Sequence, residues 1–481
     1  MLISNLIIMQ VILPLSGGLI SFLLPKRWSW LFASIISGFT LLIALLLFKA
    51  SFSGEVFLYN LGGWSQSIGI EYKLDKLGAF FLLLVSFISL LNLIAMRSLI
   101  AFELDTEKYP LFFGLFLIAI AGLLGICISN DIFNIYVLLE INAIASYALV
   151  AAAKKISSSK ASFDYLIFGT IGSTFILFGI GFVYALVGSL NLSEISHAMP
   201  EMLENDAIKI GVALIIIGVL MKAALFPLSS WLVDVYQGAP SFVSSLLSST
   251  SNKVGIYLLI NFFFYVFYLN KTKFEYLEIS LSFLAIFSII ACAILALRQK
   301  DIKRFLAYSS LSQIGFIVFA LAMANDMAIS GALIYCFTHA LEKTVLFLAA
   351  GYLIATSSNE TLDSFAGIGK RYPLISSIIM INLLSTVGFP LTAGFIGKWQ
   401  IFKASLATDI WFIFIIMLAA LFTFVYAFKF AELLLFQKSA ENKEELVLTA
   451  LPDKTCLWVI TAMTILNLYL GSNSKYLLSI W

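Results

Sequence analysis

Apolar runs of about 20 residues recur along this 481-residue chain, with polar residues gathered in short intervals between them. A helix of that length crosses the roughly 30 Å hydrocarbon layer of a bilayer. The pattern predicts about 14 spans, at 2–24, 30–49, 78–97, 110–129, 132–152, 164–188, 208–232, 241–268, 277–297, 304–323, 328–355, 373–401, 410–436 and 455–471. The longest polar stretches, near 50–77, 189–207 and 437–454, are loop-sized. The first run has no basic leader and no small-residue cleavage site, so it is expected to stay as a transmembrane helix. The expected fold is all-α, a polytopic membrane protein.

Composition closes off the soluble alternative. The chain is 61% hydrophobic and 12% charged, against about a quarter charged in ordinary soluble domains. A net charge of +2 gives no reason to expect nucleic acid or an acidic partner. Cys127, Cys292, Cys336 and Cys456 stand apart in or beside apolar runs, with no CxxC or Cys/His spacing. No metal centre, haem or disulfide framework follows from them, and no cofactor is expected. Lysine and arginine are unevenly shared. Loops after odd-numbered spans, including Lys26, Arg27, Lys154, Lys155, Arg298, Lys300, Lys303, Arg304, Lys438 and Lys443, hold twice as many as the opposite loops. The latter include Lys49, Lys73, Lys76, Lys209, Lys271 and Lys273. Both termini are therefore expected to face away from the cytoplasm, in a cell (inner) membrane.

Five lysines escape that division because they lie inside spans: Lys222, Lys253, Lys343, Lys398 and Lys429. Each costs about 3 kcal/mol near the bilayer centre. With Glu140, inside the run 132–152, they predict an internal polar route. A buried lysine suits proton relay because burial weakens its hold on the proton. His339 and Lys343 are four residues apart and share a helix face. The bland alternatives are a structural ion pair for Glu140, small-residue packing around Lys253, core packing for His339, and snorkelling for Lys429 near its helix end. His197 is expected to be solvated, and Asp164, Asp234 and Asp301 to cap helix ends.

Two spans look broken. One holds Pro227 shortly after Lys222; the other holds Gly388, Pro390, Gly394 and Gly397 before Lys398. Proline removes a backbone donor and frees carbonyls that side chains or water must satisfy. Interrupted spans at matching places in two halves mark a transporter of inverted repeats. The breaks fall in spans 7 and 12, which predicts two inverted five-helix repeats. The expected divisions are 1–109 (helices 1–3), 110–268 (helices 4–8), 277–436 (helices 9–13) and 437–481 (helix 14).

Taken together, these residues resemble one family over nearly the whole chain. The blocks are 131–140, 222–227, 231–234 with Ala239 and Pro240, 253–257, 301–310, 312–315, 339–343 and 394–398. They are similar to the antiporter-like subunits of Mrp-type cation/proton antiporters, membrane-bound hydrogenases and respiratory complex I. The resemblance implies that Glu140 and Lys222 gate one half-channel. It also implies that Lys253, His339, Lys343 and Lys398 continue a hydrophilic axis. Segments 59–64, 68–70 and 140–147 look most like the Mrp D-type subunit, whereas 388–398 is closer to the complex I N-type. Ser229, Val233 and Tyr236 depart from the family pattern, and Glu342 stands where an apolar residue is usual, not necessarily paired with Lys343.

The expected function is therefore a proton-translocating subunit of a multi-subunit sodium/proton antiporter. Its expected partners are other small hydrophobic antiporter subunits, with protons and sodium as cargo. The alternative is an N-type pumping subunit of an NADH-quinone oxidoreductase; nothing in the chain binds NADH, flavin or iron–sulfur clusters, so the redox chemistry would lie elsewhere. A non-transporting scaffold would have no reason to bear the cost of the buried charges.

Overall fold

A computed structural model describes residues 2–66, 69–202, 204–267, 275–357, 359–407, 410–437 and 452–478. Lys271, Lys273, Lys438 and Lys443, used for orientation, lie outside the described residues, as do Ile68, the end of the span at 268 and most of the stretch 437–454.

Helices α1 (Leu2–Ser21) and α2 (Lys26–Ser51) precede a hairpin of β1 (Phe57–Asn60) and β2 (Glu71–Leu74), antiparallel with Phe57 opposite Leu74. Then come α3 (Lys76–Met96), α4 (Ile100–Glu103), α5 (Tyr109–Ile126), α6 (Ile132–Ala151) and α7 (Ile156–Val187). α8 (Leu192–Met202), α9 (Asp206–Lys222), α10 (Leu232–Gly238), α11 (Ser241–Leu246) and α12 (Asn252–Ile260) follow. The chain continues through α13 (Glu275–Leu297), α14 (Ile302–Ala322), α15 (Asp326–Ser357), α16 (Pro373–Val387) and α17 (Ala393–Leu406). It ends with α18 (Ile410–Leu435), α19 (Thr455–Ser472) and α20 (Ser474–Leu478).

Among the described residues the protein is all-α apart from the hairpin. Among the described residues, 11 helical segments are long and apolar enough to cross a membrane. The other three predicted spans are interrupted. α9 stops at Lys222, and Ala224 then takes a left-handed φ of 67° ahead of Pro227. α11 and α12 are joined by a π-helical turn at Leu247–Ser251, and another follows at Asn261–Val266. α16 ends on Gly388 at φ 94°, a conformation glycine adopts without strain, and the helix resumes only at Ala393 after Pro390.

The chain forms two compact units. The first comprises Met1–Leu93, Leu104–Ala223 and Thr250–Glu275. In it α7 packs along α6 and α9, α5 lies between α1 and α6, and α12 rests on α9. The second comprises Ile94–Glu103, Ala224–Ser249 and Tyr276–Trp481. There α15 is central, touching α11, α14, α16, α17 and α19. α14 and α15 are almost wholly buried, whereas α18 exposes Trp411, Phe414, Phe424 and Phe428. Helices apolar all round suit a core or a lipid environment.

A local device appears once in each unit. Asp131 caps α6 by accepting from the Asn134 N–H at 2.6 Å. Beside it, Ile132 N–H donates to Leu190 O at 2.9 Å and Leu192 N–H to Asn130 O at 2.8 Å. In the second unit Asp301 caps α14 through the Arg304 N–H at 3.0 Å. There Ile302 N–H donates to Glu360 O at 3.0 Å and Leu362 N–H to Lys300 O at 2.7 Å. The interval from Asp131 to Asn191 equals that from Asp301 to Thr361. The long helices within those intervals, α7 and α15, each have 32 residues.

Some expectations change. Asp164 lies inside α7 rather than at its end, so it is not a cap. Asp234 sits in the first turn of α10 and pairs with Arg304 at 2.5 Å. Lys303, counted among loop residues, is only 1% exposed. Its ammonium donates to Ala239 O at 2.8 Å, because the segment before α11 covers the start of α14. Lys429 is exposed, and its ammonium reaches Leu297 O, at the C-terminus of α13, at 2.6 Å. That fits the snorkelling alternative and the attraction of a cation to a helix C-terminus. His197 is exposed on α8.

Candidate functional site

In the first unit the buried charges gather where α9 ends. Glu140 projects from the middle of α6, and its Oε1 is buried without a hydrogen-bond partner. Lys222 closes α9, and its ammonium donates to Gly169 O on α7 at 3.0 Å. Glu140 and Lys222 interact electrostatically, yet no ion pair within 4.0 Å joins them among the described residues. That separation leaves each charge in the other's field without locking the pair into one geometry. Lys253 is fully buried on α12. Two residues later Gly255 lies against the backbone of Lys222 and Ala223, so a Cβ there would sit 2.6 Å from Ala223 Cα. This close approach brings α12, and Lys253 with it, to the end of α9.

In the second unit the charges gather around α15 and the gap between α16 and α17. His339 and Lys343 are both fully buried on α15, one turn apart. Lys343 donates to Ser309 Oγ at 2.6 Å and approaches Leu306 O at 3.4 Å, both on α14. His339 stacks on Tyr335 with ring centroids 6.0 Å apart. Tyr335 in turn lies under the Lys398 ammonium, 5.0 Å from its ring centroid, with Phe316 at 5.1 Å. Two aromatic faces around one ammonium offset part of its desolvation cost. Lys398 also donates to Thr386 O at 2.5 Å, at the end of α16. The broken helix thus presents a backbone carbonyl to a charge, as an interrupted span must. Gly388 and Pro390 form the break itself, and Pro227 lies in the turn between α9 and α10.

The sequence set Glu342 apart from the relay, since it need not pair with Lys343. In the structure it is fully buried on α15. Its carboxylate accepts from Ser385 Oγ at 2.5 Å and Thr386 Oγ1 at 3.1 Å, and it interacts with the charges of Lys398 and Lys343. Its being charged within a long apolar run was a visible signal; its partners, on another helix, were not. Among the described residues no group of three or more His, Cys, Asp or Glu could hold a metal ion.

Helices that cross a membrane many times, with ionisable side chains held inside each unit, define an ion-carrying subunit of the multi-pass membrane class. Residues 129–423 match the transmembrane family described as NADH:quinone oxidoreductase/Mrp antiporter, and the chain belongs to that family. It is 34% identical to the N-type subunit of an NADH-quinone oxidoreductase of Desulforudis audaxviator, over 89% of this chain and 86% of the relative. It is 28% identical to the D-type subunit of a Na(+)/H(+) antiporter of Bacillus subtilis, over 84% and 81%. Among solved structures it resembles a chain of the membrane-bound sulfane sulfur reductase, an archaeal respiratory membrane complex. That match has a TM-score of 0.89 and 29% identity, and covers 98% of this chain and 96% of the other. The chain is an antiporter-like subunit of the N/M/L/D type with a buried Glu/Lys/His network, located in the inner membrane.

Proposed function

We propose that this chain is a proton-translocating, N-type subunit of a respiratory membrane complex. In it, protons move over Glu140, Lys222 and Lys253 in one unit and over His339, Lys343 and Lys398 in the other. The likeness to the N-type subunit at 34% identity, and to a respiratory complex at 29%, supports this parentage over an antiporter. The observation that carries the relay is the Glu140/Lys222 arrangement. Two opposite charges lie within each other's field but out of contact, and one of them ends a helix at a break. Movement of charge nearby changes the energy of both and can drive a proton on or off the lysine. The partners are other hydrophobic subunits together with a redox module.

Fourteen spans in two inverted five-helix repeats, with the divisions 1–109, 110–268, 277–436 and 437–481, form part of this proposal. The capping device at Asp131 and Asp301, with its equal intervals and matched 32-residue helices, supports the repeat. The predicted spans put one copy after even-numbered spans and the other after odd-numbered ones, which supports the inversion. A sodium/proton antiporter subunit is the second reading, supported by the Bacillus subtilis relative.

The test is proton translocation by the purified complex in vesicles. Lys222→Ala and Glu140→Gln are each expected to slow it at least about tenfold, given that a positioned acid–base group contributes about 10²–10⁴-fold. The subunit composition should remain unchanged. Translocation at the wild-type rate in an assembled Lys222→Ala complex would overturn the proposal.

A further inference from the structure

We propose that Glu342 is a further proton-carrying residue of the second unit, with Lys398 as the charged group that gives up and takes back the proton. The proposal rests on the proton-relay reading above and adds a residue to it.

The argument starts from what a buried carboxyl needs. Glu342 is 0% exposed, so each of its charge states must find partners inside the protein. Fixed donors, such as backbone N–H groups or an arginine, suit the anion alone. Glu342 is served instead by two hydroxyls, and each hydroxyl has another acceptor within reach. Thr386 Oγ1 lies 3.1 Å from Glu342 Oε2 and 2.9 Å from Asn382 O. Ser385 Oγ lies 2.5 Å from Glu342 Oε1 and 3.2 Å from Asn467 Oδ1.

Each hydroxyl has one hydrogen and accepting lone pairs. When Glu342 is ionised, both hydrogens point to it. When Glu342 is protonated, the Thr386 hydrogen turns to Asn382 O, and Thr386 Oγ1 accepts the carboxyl O–H. Ser385 Oγ, which accepts from Gly394 N–H at 3.2 Å and Asn467 Nδ2 at 3.1 Å, keeps its hydrogen on Glu342 Oε1 in both states. Both charge states are therefore satisfied by rotating the Thr386 hydrogen, with no displacement of a heavier atom.

The proton's counterpart is beside it. Lys398 donates to the backbone O of Thr386 at 2.5 Å, the Thr386 hydroxyl donates to Glu342 at 3.1 Å, and the charges of Lys398 and Glu342 interact. In the exchange, an N–H bond of the Lys398 ammonium breaks and an O–H bond forms on Glu342. Two opposite charges become a neutral amine and a neutral acid, and the net charge is unchanged. Lys343 on the same helix, Tyr335 and Tyr426 also interact with Glu342, and His339 lies one turn away on α15.

The experiment uses the assembled complex and two measurements. Infrared difference spectra between two pH values report protonated carboxyls through their C=O stretch, and vesicle assays report proton translocation. Glu342→Gln keeps the shape and cannot carry the proton. It is expected to remove one carboxyl band and to slow translocation at least about tenfold. Thr386→Val, which removes one hydroxyl partner, is expected to keep that band but move it to higher frequency. It covers the case in which Glu342→Gln does not assemble. An unchanged carboxyl spectrum in Glu342→Gln, or in its absence an unshifted one in Thr386→Val, would overturn the inference. So would near-normal translocation in Glu342→Gln where Lys222→Ala abolishes it, an outcome that leaves the relay reading standing. Translocation unaffected by Lys222→Ala overturns the relay reading instead.

Discussion

At the scale of single residues, burial decides what a charge is worth, and neighbours in sequence can differ widely. Lys303 and Arg304 are adjacent. Lys303 is 1% exposed, holds Ala239 O at 2.8 Å and lies 4.0 Å from Glu360. Arg304 pairs with Asp234 at 2.5 Å, with 30% and 53% of the two side chains exposed. Lys303→Ala would remove the donor to Ala239 O, at a cost of about 1–3 kcal/mol. Arg304→Ala should cost about 0–1 kcal/mol, because solvent screens an exposed pair. Thermal unfolding of the purified complex, followed by tryptophan fluorescence, checks the order; equal midpoints for the two variants would contradict it. The same contrast shows what a sequence reveals. Glu140, Lys222, Lys253, Lys343 and Lys398 stood out because each interrupts an apolar run, and all are buried or half-buried. Lys303 did not, because it starts a helix beside other charges and its cover comes from a segment more than 60 residues earlier. The hydroxyl partners of Glu342 were hidden for the same reason: Ser385 lies 43 residues away.

At the scale of elements, the two breaks were legible from proline and glycine, whereas the manner of breaking was not. The sequence carried the seventh span on to 232, but α9 ends at Lys222. An apolar run marks what is buried and cannot mark where backbone hydrogen bonding stops. The π-helical turns beside α12 and the β1–β2 hairpin were missed likewise, being short and without a period of their own. The contact that joins α12 to the end of α9 makes a prediction at this scale. At Gly255 an added Cβ meets Ala223 N and Cα at 2.6 Å, both backbone atoms that cannot swing aside. Gly255→Ala should therefore push α12 from Lys222 and lower the thermal midpoint, and it should slow proton translocation even where the complex assembles. Gly181→Ala is the control. It lies in α7 with nothing within 4 Å of the added Cβ. Helix propensity alone should make it neutral or stabilising by up to about 1 kcal/mol. If the two variants behave alike, close backbone approach is not what fixes α12.

At the scale of the whole molecule, the repeat and the charge asymmetry bear on the same question, which face of the membrane each loop occupies. Within the first unit, an ion pair at 2.5 Å between Lys26 and Glu107 joins loops that the odd/even division puts on one face. The hairpin agrees, since Glu71 accepts from Asn130 at 2.6 Å and Asn191 at 3.1 Å, all three in loops assigned to the other face. Within the second unit, Asp301 bridges to Thr361, again joining two loops given one face. The proposed fourteen spans predict that the Asp131 device and the Asp301 device are on opposite sides of the membrane. Single cysteines test this directly, because all four native ones are buried. Lys300→Cys and His197→Cys replace exposed residues close to the two devices. In vesicles of known sidedness, a membrane-impermeant maleimide should label Lys300→Cys only from the cytoplasmic face and His197→Cys only from the other. The basic residues drawn to the odd-numbered loops set which is which. Labelling of both from one face would leave the capping devices as repeated parts of a parallel arrangement, and the inverted repeat would be lost.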